Sequence, residues 1–561
     1  MEERRLLLAV ALSLLVLTGY QLLFAPPPAP RPSPRSAIPA PPGAPAAAPA
    51  PAAVAPTVSA PSPVAPFVVP RVADDRERRV EVQGQDLLVA FANKGARLLS
   101  WKLEHFRDVR GRPEEMVAAG EGSRSLDLET GDEQVDARLR EALFKPSVEH
   151  LQLREGGANE LAFEWAEGDL EARKVLRFPA RGYLVEVIAS VRRAGRELPL
   201  KAVWGPGVGN PTEAEMEVQG YIAPQGVSLA AGGVERVPAD DAGALRPVTG
   251  ARWVGVESQY FAALWVPASP ATPAELRAVS LPALEEGTPR LGVLAAVGVD
   301  GPAGPVLLYV GPKDHQVLTR AGHDLSRVVN VGDYIGPIVV PLLALLRWAH
   351  SVTNNYGWAI VLLTIFINVA MAPFRHYSIA NGLKMARLSP EMRAIQERYR
   401  KVPLLDPKRQ EMQQEIAELY ARHGMSMGTQ MAVGCVPILL TMPFLIAFYT
   451  VLQVAIELRG APFLWISDLS QKDPYFITPV LMGLSMFVMQ KMVPTTMDPA
   501  QQRIMMIMPV VLAGMFLWAP AGLNLYWLAS NMCSIVQQGL TLRLLRDRPA
   551  PASKGKERRR A

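Results

Sequence analysis

The sequence predicts a polytopic α-helical membrane protein, with six transmembrane helices, a large antiparallel β-sandwich on the outer side of the membrane and a helical hairpin on the cytoplasmic side. Three observations carry this. First, five long segments follow one another between Tyr356 and Leu542, namely Gly357–Phe374, Met431–Ile456, Tyr475–Gln490, Ile504–Pro520 and Leu523–Leu542. None of them contains Asp, Glu, Lys, Arg or His. At ~1.5 Å per residue, about 20 apolar residues cross a ~30 Å hydrocarbon layer. Second, the chain from about Asp75 to Asn330 reads with the period of strands. Third, Lys and Arg gather beside particular spans and avoid others, which orients the bundle.

Residues 1–25 supply the sixth span. Leu6–Ala25 is apolar behind Arg4 and Arg5, and Pro26, Pro27 and Pro28 follow at once. Prolines make a poor cleavage site and stop a helix, so a retained anchor is expected. Residues 26–74 are dominated by Pro and Ala and read as an extended spacer.

Residues 75–330 form the expected sandwich. Val80–Val82, Leu161–Trp165 and Tyr183–Val187 alternate or nearly so, while Phe261–Val266 and Val306–Val310 read as fully buried strands. His105, His150, His315 and His323 are isolated and lack metal-ligand spacing. No phosphate-binding Gly-x-x-x-x-Gly-Lys loop occurs, which argues against an ATP-driven motor. Gly424-Met425-Ser426-Met427-Gly428 matches a nucleophile elbow in letters only; a charged helical stretch precedes it and a span follows, so a flexible turn is expected. The two cysteines, Cys435 and Cys533, both fall inside spans and act as small apolar fillers.

Residues 331–355 hold Ile335, Ile338, Leu342, Leu346 and Trp348, broken by Pro337 and Pro341. An amphipathic helix in the membrane interface is expected, with a further span as the alternative. The charges favour the first. Arg375–Arg422 carries ten basic residues against six acidic, and Arg543–Arg560 carries eight basic ones. Glu457–Pro474 has only Arg459 and Lys472 against Glu457, Asp468 and Asp473. Basic segments stay inside, so both termini, the Arg375–Arg422 insert and Lys491–Arg503 are expected there. Six spans satisfy this order and a seventh breaks it.

The core 356–545 includes an insert, 375–424, that reads as a helical hairpin. Ser389-Pro390-Glu391 marks a helix start, and Met392, Ile395 and Tyr399 share a face, as do Met412, Ile416 and Leu419. Arg387, Arg393, Arg398, Arg400, Lys401, Lys408 and Arg409 make it a basic docking surface, or else a solvated connector. Residues 546–561 are a basic tail.

Polar residues inside the spans must face protein or water. Thr364 and Asn368 lie four apart; Asn524, Trp527, Asn531, Ser534 and Gln538 step by three or four along the last span. Thr441 and Ser485 could complete a ring. Such groups either glue helices together or line a wet groove. The length of the stripe favours the groove for the set. Tyr475–Gln490 and Ile504–Pro520 are only 16 and 17 residues long, which favours a thinned bilayer. Fourteen of the 21 methionines fall between Met425 and Met532, a density that suits adaptable contact with many apolar helices.

Longer stretches carry a resemblance: Asn355–Thr364, Gly434-Cys435-Val436-Pro437, Glu457-Leu458-Arg459 with Ala461-Pro462-Phe463, Asp473–Phe476, Gln490-Lys491-Met492, Pro494-Thr495-Thr496, Phe516-Leu517-Trp518, Ser530-Asn531 and Gln537-Gln538. In this order they resemble the YidC/Oxa membrane protein insertases of Gram-negative bacteria. Trp253–Pro267 and Gly311-Pro312-Lys313 are similar to parts of that family's periplasmic domain. The resemblance implies an inner-membrane protein that inserts and folds nascent membrane proteins, alone or with the Sec translocon, without cofactor, metal or enzymatic chemistry. It implies a groove open to cytoplasm and lipid and closed outside, lined by Thr364 and Asn368. It also implies functional aromatic positions at Trp518, Tyr526 and Trp527. The hairpin would meet the ribosome and a targeting factor, and the spans would meet membrane lipids; no DNA partner is implied.

One departure follows. The family usually carries an arginine where this sequence has Asn368, so the expected groove is polar without charge, built on Asn368, Asn524 and Asn531. Two other classes compete. A secondary transporter normally has ionisable residues within its spans, absent here. An envelope anchor displaying the sandwich would leave the basic hairpin and the polar stripes without use.

Overall fold

The computed structural model describes residues 70–546 apart from 109, 119–123, 244, 282–289, 300–304, 333–334, 400–401, 404–405, 424–441 and 493–498. The expected anchor, Pro/Ala spacer, basic tail, Gly-x-Ser-x-Gly turn and Cys435 therefore lie outside the described residues.

The β-rich half contains a ten-stranded sheet and two five-stranded sheets. Strand Leu184–Arg193 alternates as a half-buried strand should, burying Val185, Val187, Ala189 and Val191. Strand Phe261–Val266 is buried at every position because Trp253–Glu257 flanks it on one edge and Val306–Pro312 on the other, in the middle of the large sheet. Trp101, Trp204, Trp253, Trp265 and Tyr309 fill the core. Among the described residues the antiparallel expectation has one exception: Glu81–Gln83 pairs in parallel with His150–Gln152. The connection between them is long enough to include five further strands and a helix, so no hairpin constrains its direction.

Close approach fixes one residue type in this sheet. A Cβ on Gly255 would sit 2.0 Å from the Ala263 carbonyl oxygen on the neighbouring strand. Gly255→Ala must therefore spread two central strands. We expect a loss of about 3 kcal/mol or more in denaturant unfolding followed by tryptophan fluorescence.

Among the described residues, Lys174, Lys313 and Glu257 enter this core with partners. Lys174 is fully buried and donates to the Ala96 and Leu126 carbonyls at 2.8 and 2.6 Å. Both acceptor residues hold positive φ, 44° and 64°. Lys313 donates to the Ser258 carbonyl at 3.0 Å and pairs with Glu257 at 2.8 Å. Arg236 donates to Glu257 and to the Val328 carbonyl. Burial pushes Lys313 down despite Glu257. Burial also pushes Glu257 up, but Lys313 and Arg236 overcome it and hold the carboxyl below its ordinary range.

The helices follow. Gly336–Thr353 continues through Pro341, burying Val339, Leu342, Leu343, Leu346 and Ala349 and exposing Val340, Trp348 and Val352. By length and composition this helix and the next, Tyr356–Arg398, could each cross a membrane. Tyr356–Arg398 is a long helix of 43 residues, and it runs through Ser389-Pro390, where the sequence had suggested a fresh start. A proline removes a single backbone donor, while Leu388, Met392 and Ile395 on either side are buried and keep the turn in register. The remaining apolar runs appear as Met442–Val454, Ile477–Met492, Pro499–Met515 with the 3₁₀ turn Phe516–Trp518, and a final helix, Ala521–Arg546. Phe448 stacks on Tyr526 at 3.9 Å in the core they share with Ile360, Leu363, Leu452 and Phe463.

The hairpin pairs the end of the long helix with Lys408–Arg422. Met392, Ile395, Met412, Ile416, Leu419 and Tyr420 are buried, and Tyr399 is half-buried. Glu415 accepts from Arg398 at 2.7 Å and from the Tyr399 hydroxyl at 3.0 Å.

Candidate functional site: a polar seam between two apolar helices

Thr364, Asn368 and Arg375 lie four and seven residues apart, so one face of the long helix carries all three. The Thr364 hydroxyl donates back to the Ile360 carbonyl at 2.7 Å, which satisfies it within its own helix. Asn368 Nδ2 donates to the Thr364 carbonyl at 2.8 Å and reaches Ser530 Oγ of the final helix at 3.4 Å. Arg375 Nη1 donates to Asn368 Oδ1 and to Ser534 Oγ, each at 2.6 Å. One turn further on, Gln537 Nε2 donates to the Ala372 carbonyl at 2.7 Å, and His376 Nδ1 lies 3.2 Å from Thr541 Oγ1. The two helices meet along a continuous polar seam.

A guanidinium therefore stands against Asn368, where the sequence led to polarity without charge. Arg375 follows the last apolar residue of its span and counted, in sequence, among the basic residues of the insert. Side chains on a helix tilt toward its N-terminus. A long arginine can therefore reach back to a residue two turns earlier, some 10 Å along the axis. Among the described residues Arg375 forms no ion pair, and its hydrogen-bond partners there are an amide and a hydroxyl. The seven-residue spacing from Asn368 was the available signal.

The rest of the stripe divides. Asn531 Nδ2 donates to Ser485 Oγ at 2.9 Å, and that hydroxyl donates to the Met482 carbonyl; both residues are buried, an arrangement that ties two helices together. Asn524 Nδ2 donates to the Phe516 carbonyl at 3.2 Å. Asn524, Asn531 and Gln538, spaced by seven, are all buried. Ser530, Ser534 and Gln537 instead address the long helix. Tyr526 stacks on Phe448, Trp527 meets Phe516 edge-on at 4.7 Å, and Trp518 is half exposed. Thr441, Arg400 and Lys401 lie outside the described residues. Arg387, Arg393 and Lys408 are exposed, Arg398 is exposed and paired with Glu415, and Arg409 lies on the helix Lys408–Arg422.

Apolar faces flank the seam. Ile365, Phe366 and Val369 on the long helix, and Met532, Val536 and Leu540 on the final one, are all exposed. Such a surface belongs in lipid rather than water. Among the described residues no three His, Cys, Asp or Glu side chains group to hold a metal ion.

Two families match the two halves of the chain: 60Kd inner membrane protein over residues 348–548 and YidC periplasmic domain over residues 79–345. A membrane protein insertase YidC of Geobacter metallireducens is 32% identical over 553 residues, covering 96% of this chain and 97% of the relative. The chain belongs to the YidC family of membrane protein insertases. A second relative of the same description, from Geobacter sulfurreducens, is 32% identical over 96% of this chain and 97% of its own length. A crystal structure of an active YidC insertase aligns with 85% of this chain and 95% of its own, at 16% identity and a TM-score of 0.34. As in that family, the β-rich half is a YidC periplasmic domain and the apolar helices belong to the inner membrane.

Proposed function

We propose that membrane protein insertion by this chain runs along the seam between Tyr356–Arg398 and Ala521–Arg546, with Arg375 as its charged end. The observation that carries this is the Arg375 guanidinium, half-buried and held, among the described residues, by neutral oxygens. A cation in a low-dielectric setting without a counter-ion attracts an acidic side chain of a client far more strongly than it would in water. Asn368, Ser530 and Ser534 then offer hydrogen bonds to a hydrophilic segment that would otherwise lose its own in hydrocarbon. The exposed apolar flanks give the client's own helix an exit into lipid. The 16-residue helix Ile477–Met492 spans about 24 Å at the usual rise, so a thinned bilayer shortens the crossing.

In this reading six helices span the membrane, both termini face the cytoplasm, the β-domain is periplasmic, and Gly336–Thr353 lies in the outer interface with Trp348 and Val352 toward lipid. The basic hairpin docks the ribosome and a targeting factor, the Sec translocon is a partner for larger clients, and no covalent catalysis takes place. Reconstitution into liposomes with a single-span client bearing a short acidic tail tests the whole. Insertion should fall when the tail carboxylates become amides. Equal insertion of both clients would remove the charged seam from the mechanism.

A further inference from the structure

The motif Glu457-Leu458-Arg459 takes no part in the seam, yet its charged ends are deeply engaged. Arg459 is nearly buried. Its Nε and Nη2 donate to Glu215 Oε1 at 3.0 and 2.8 Å, and its Nη1 donates to Glu114 Oε2 at 2.7 Å and to the Arg107 carbonyl at 3.3 Å. The guanidinium also lies 5.4 Å over the Phe261 ring. All these partners belong to the β-domain. Glu457 accepts from Arg347 at 2.6 Å, and Arg347 donates to Asp314, again of the β-domain, at 2.9 Å.

The other Glu215 oxygen shapes the segment it belongs to. It accepts from the Thr212 backbone N–H at 2.8 Å, while Thr212 Oγ1 accepts from the Glu215 N–H at 3.3 Å, a capping box over one short turn. The residues that follow touch the outer ends of the apolar helices. Glu217 pairs with Lys472 at 2.7 Å, and the Gln219 N–H donates to the Trp518 carbonyl at 3.0 Å. Gly220, at φ +83°, leaves a Cβ no room: it would lie 2.7 Å from Gln453 Nε2 and 2.8 Å from the Tyr449 hydroxyl. What remains between the surfaces is a cavity of about 20 Å³ beside Tyr221, Leu452 and Gln471, space for about one water.

We infer that Thr212–Tyr221 is a plug over the outer ends of Met442–Val454 and the Phe516–Trp518 turn, and that Arg459 is the positioning residue that holds it shut. The inference rests on the seam described above: a polar path with an inner charged end needs its outer end closed until a client's hydrophilic stretch arrives. The chemistry of the contact suits reversible closure. Its charged and hydrogen-bonded contacts are ones that water can replace on opening. One arginine between two buried carboxylates also makes the closed state all-or-none, because losing the guanidinium leaves both carboxylates buried without a counter-charge.

The test uses the full chain in proteoliposomes with Cys435 and Cys533 replaced by serine. Tyr449→Cys places a thiol under the plug, and a membrane-impermeant maleimide is added from the β-domain side. Labelling should be slow in this parent and at least tenfold faster with Arg459→Ala, since even one lost charge-assisted hydrogen bond corresponds to about that change. Arg459→Lys should lie between, and Glu215→Gln, which keeps the capping box, repeats the effect should Arg459→Ala fold poorly. In a second arm Glu217→Cys and Lys472→Cys are joined by a short bis-maleimide. Insertion of a client with a long polar outer segment should stall, while a client with a tail of a few residues inserts as before. Unchanged labelling in both Arg459→Ala and Glu215→Gln overturns the plug, as does a cross-link that leaves the long-tailed client unaffected. Failure of the unlinked parent to insert the short-tailed client would instead count against the seam, and the labelling arm still decides the plug.

Discussion

Arg375→Ala should reduce insertion of a small Sec-independent client by roughly ten- to a hundredfold, the loss expected for one charge-assisted interaction of about 1.5–3 kcal/mol. The guanidinium joins the long helix to the final one through Asn368 and Ser534, and among the described residues it forms no ion pair that a client carboxylate would have to displace. Arg375→Lys keeps the charge but not the planar fork, so it should recover part of the rate and reach one neighbour rather than both. Asn368→Ala removes one acceptor and leaves Ser534 in place, so its loss should be several-fold smaller. The same ranking should appear with an acidic tail on the client and flatten with a neutral one. Equal rates for Arg375→Ala and the parent would remove the charge from the mechanism, whatever the role of the amides. Membrane levels and helical content of each variant, measured in parallel, separate a transport defect from a folding defect.

Lys174→Met should be the most damaging conservative substitution in the β-domain, costing about 3–5 kcal/mol because two buried carbonyls and Asp127 would lose their cationic neighbour. It also carries a pH signature of definite sign. Burial, opposed by Asp127, pushes the Lys174 ammonium down from 10.5 to about 8. The folded state therefore releases this proton near pH 8, while the unfolded chain holds it until about 10.5. Between those values the unfolded state binds more protons, so stability rises with pH; below 8 both states are protonated and the term is flat. The advantage of the parent over Lys174→Met should accordingly grow on going from pH 8 to 10.5, by up to roughly 3 kcal/mol. Unfolding curves of both proteins across that range check it, since the other titrating groups cancel in the difference. A gap that stays constant or shrinks would contradict the assignment.

Local pattern carried much of the architecture. Val80–Val82, Leu161–Trp165 and Phe261–Val266 all fall inside strands, because alternation or full burial is written into neighbouring residues. The apolar run Tyr475–Gln490 was legible for the same reason, and only its ends moved, to Ile477–Met492. What stayed hidden depends on reach and on distance along the chain. Arg375 reads as a residue outside the membrane until its length and backward tilt place it beside Asn368. Glu114 and Glu215 look like any surface carboxylates, since their partner lies 345 and 244 residues away. The last-span stripe was visible as a set, but its division into a tie to Ser485 and a seam against the long helix required the neighbouring helices to be in place. Pro390 shows the opposite case, a strong local signal overridden by the buried residues around it.

Site-specific photocrosslinking of a client halted midway through insertion tests the seam most directly. With the photoreactive residue at Ser530 or Ser534, the client's polar segment should be captured, and at Ile365 or Val369 its apolar helix should be. At Ser485, buried in its tie to Asn531, no capture should occur. Capture at Ser485 with none at Ser530 or Ser534 would contradict the route proposed for this chain.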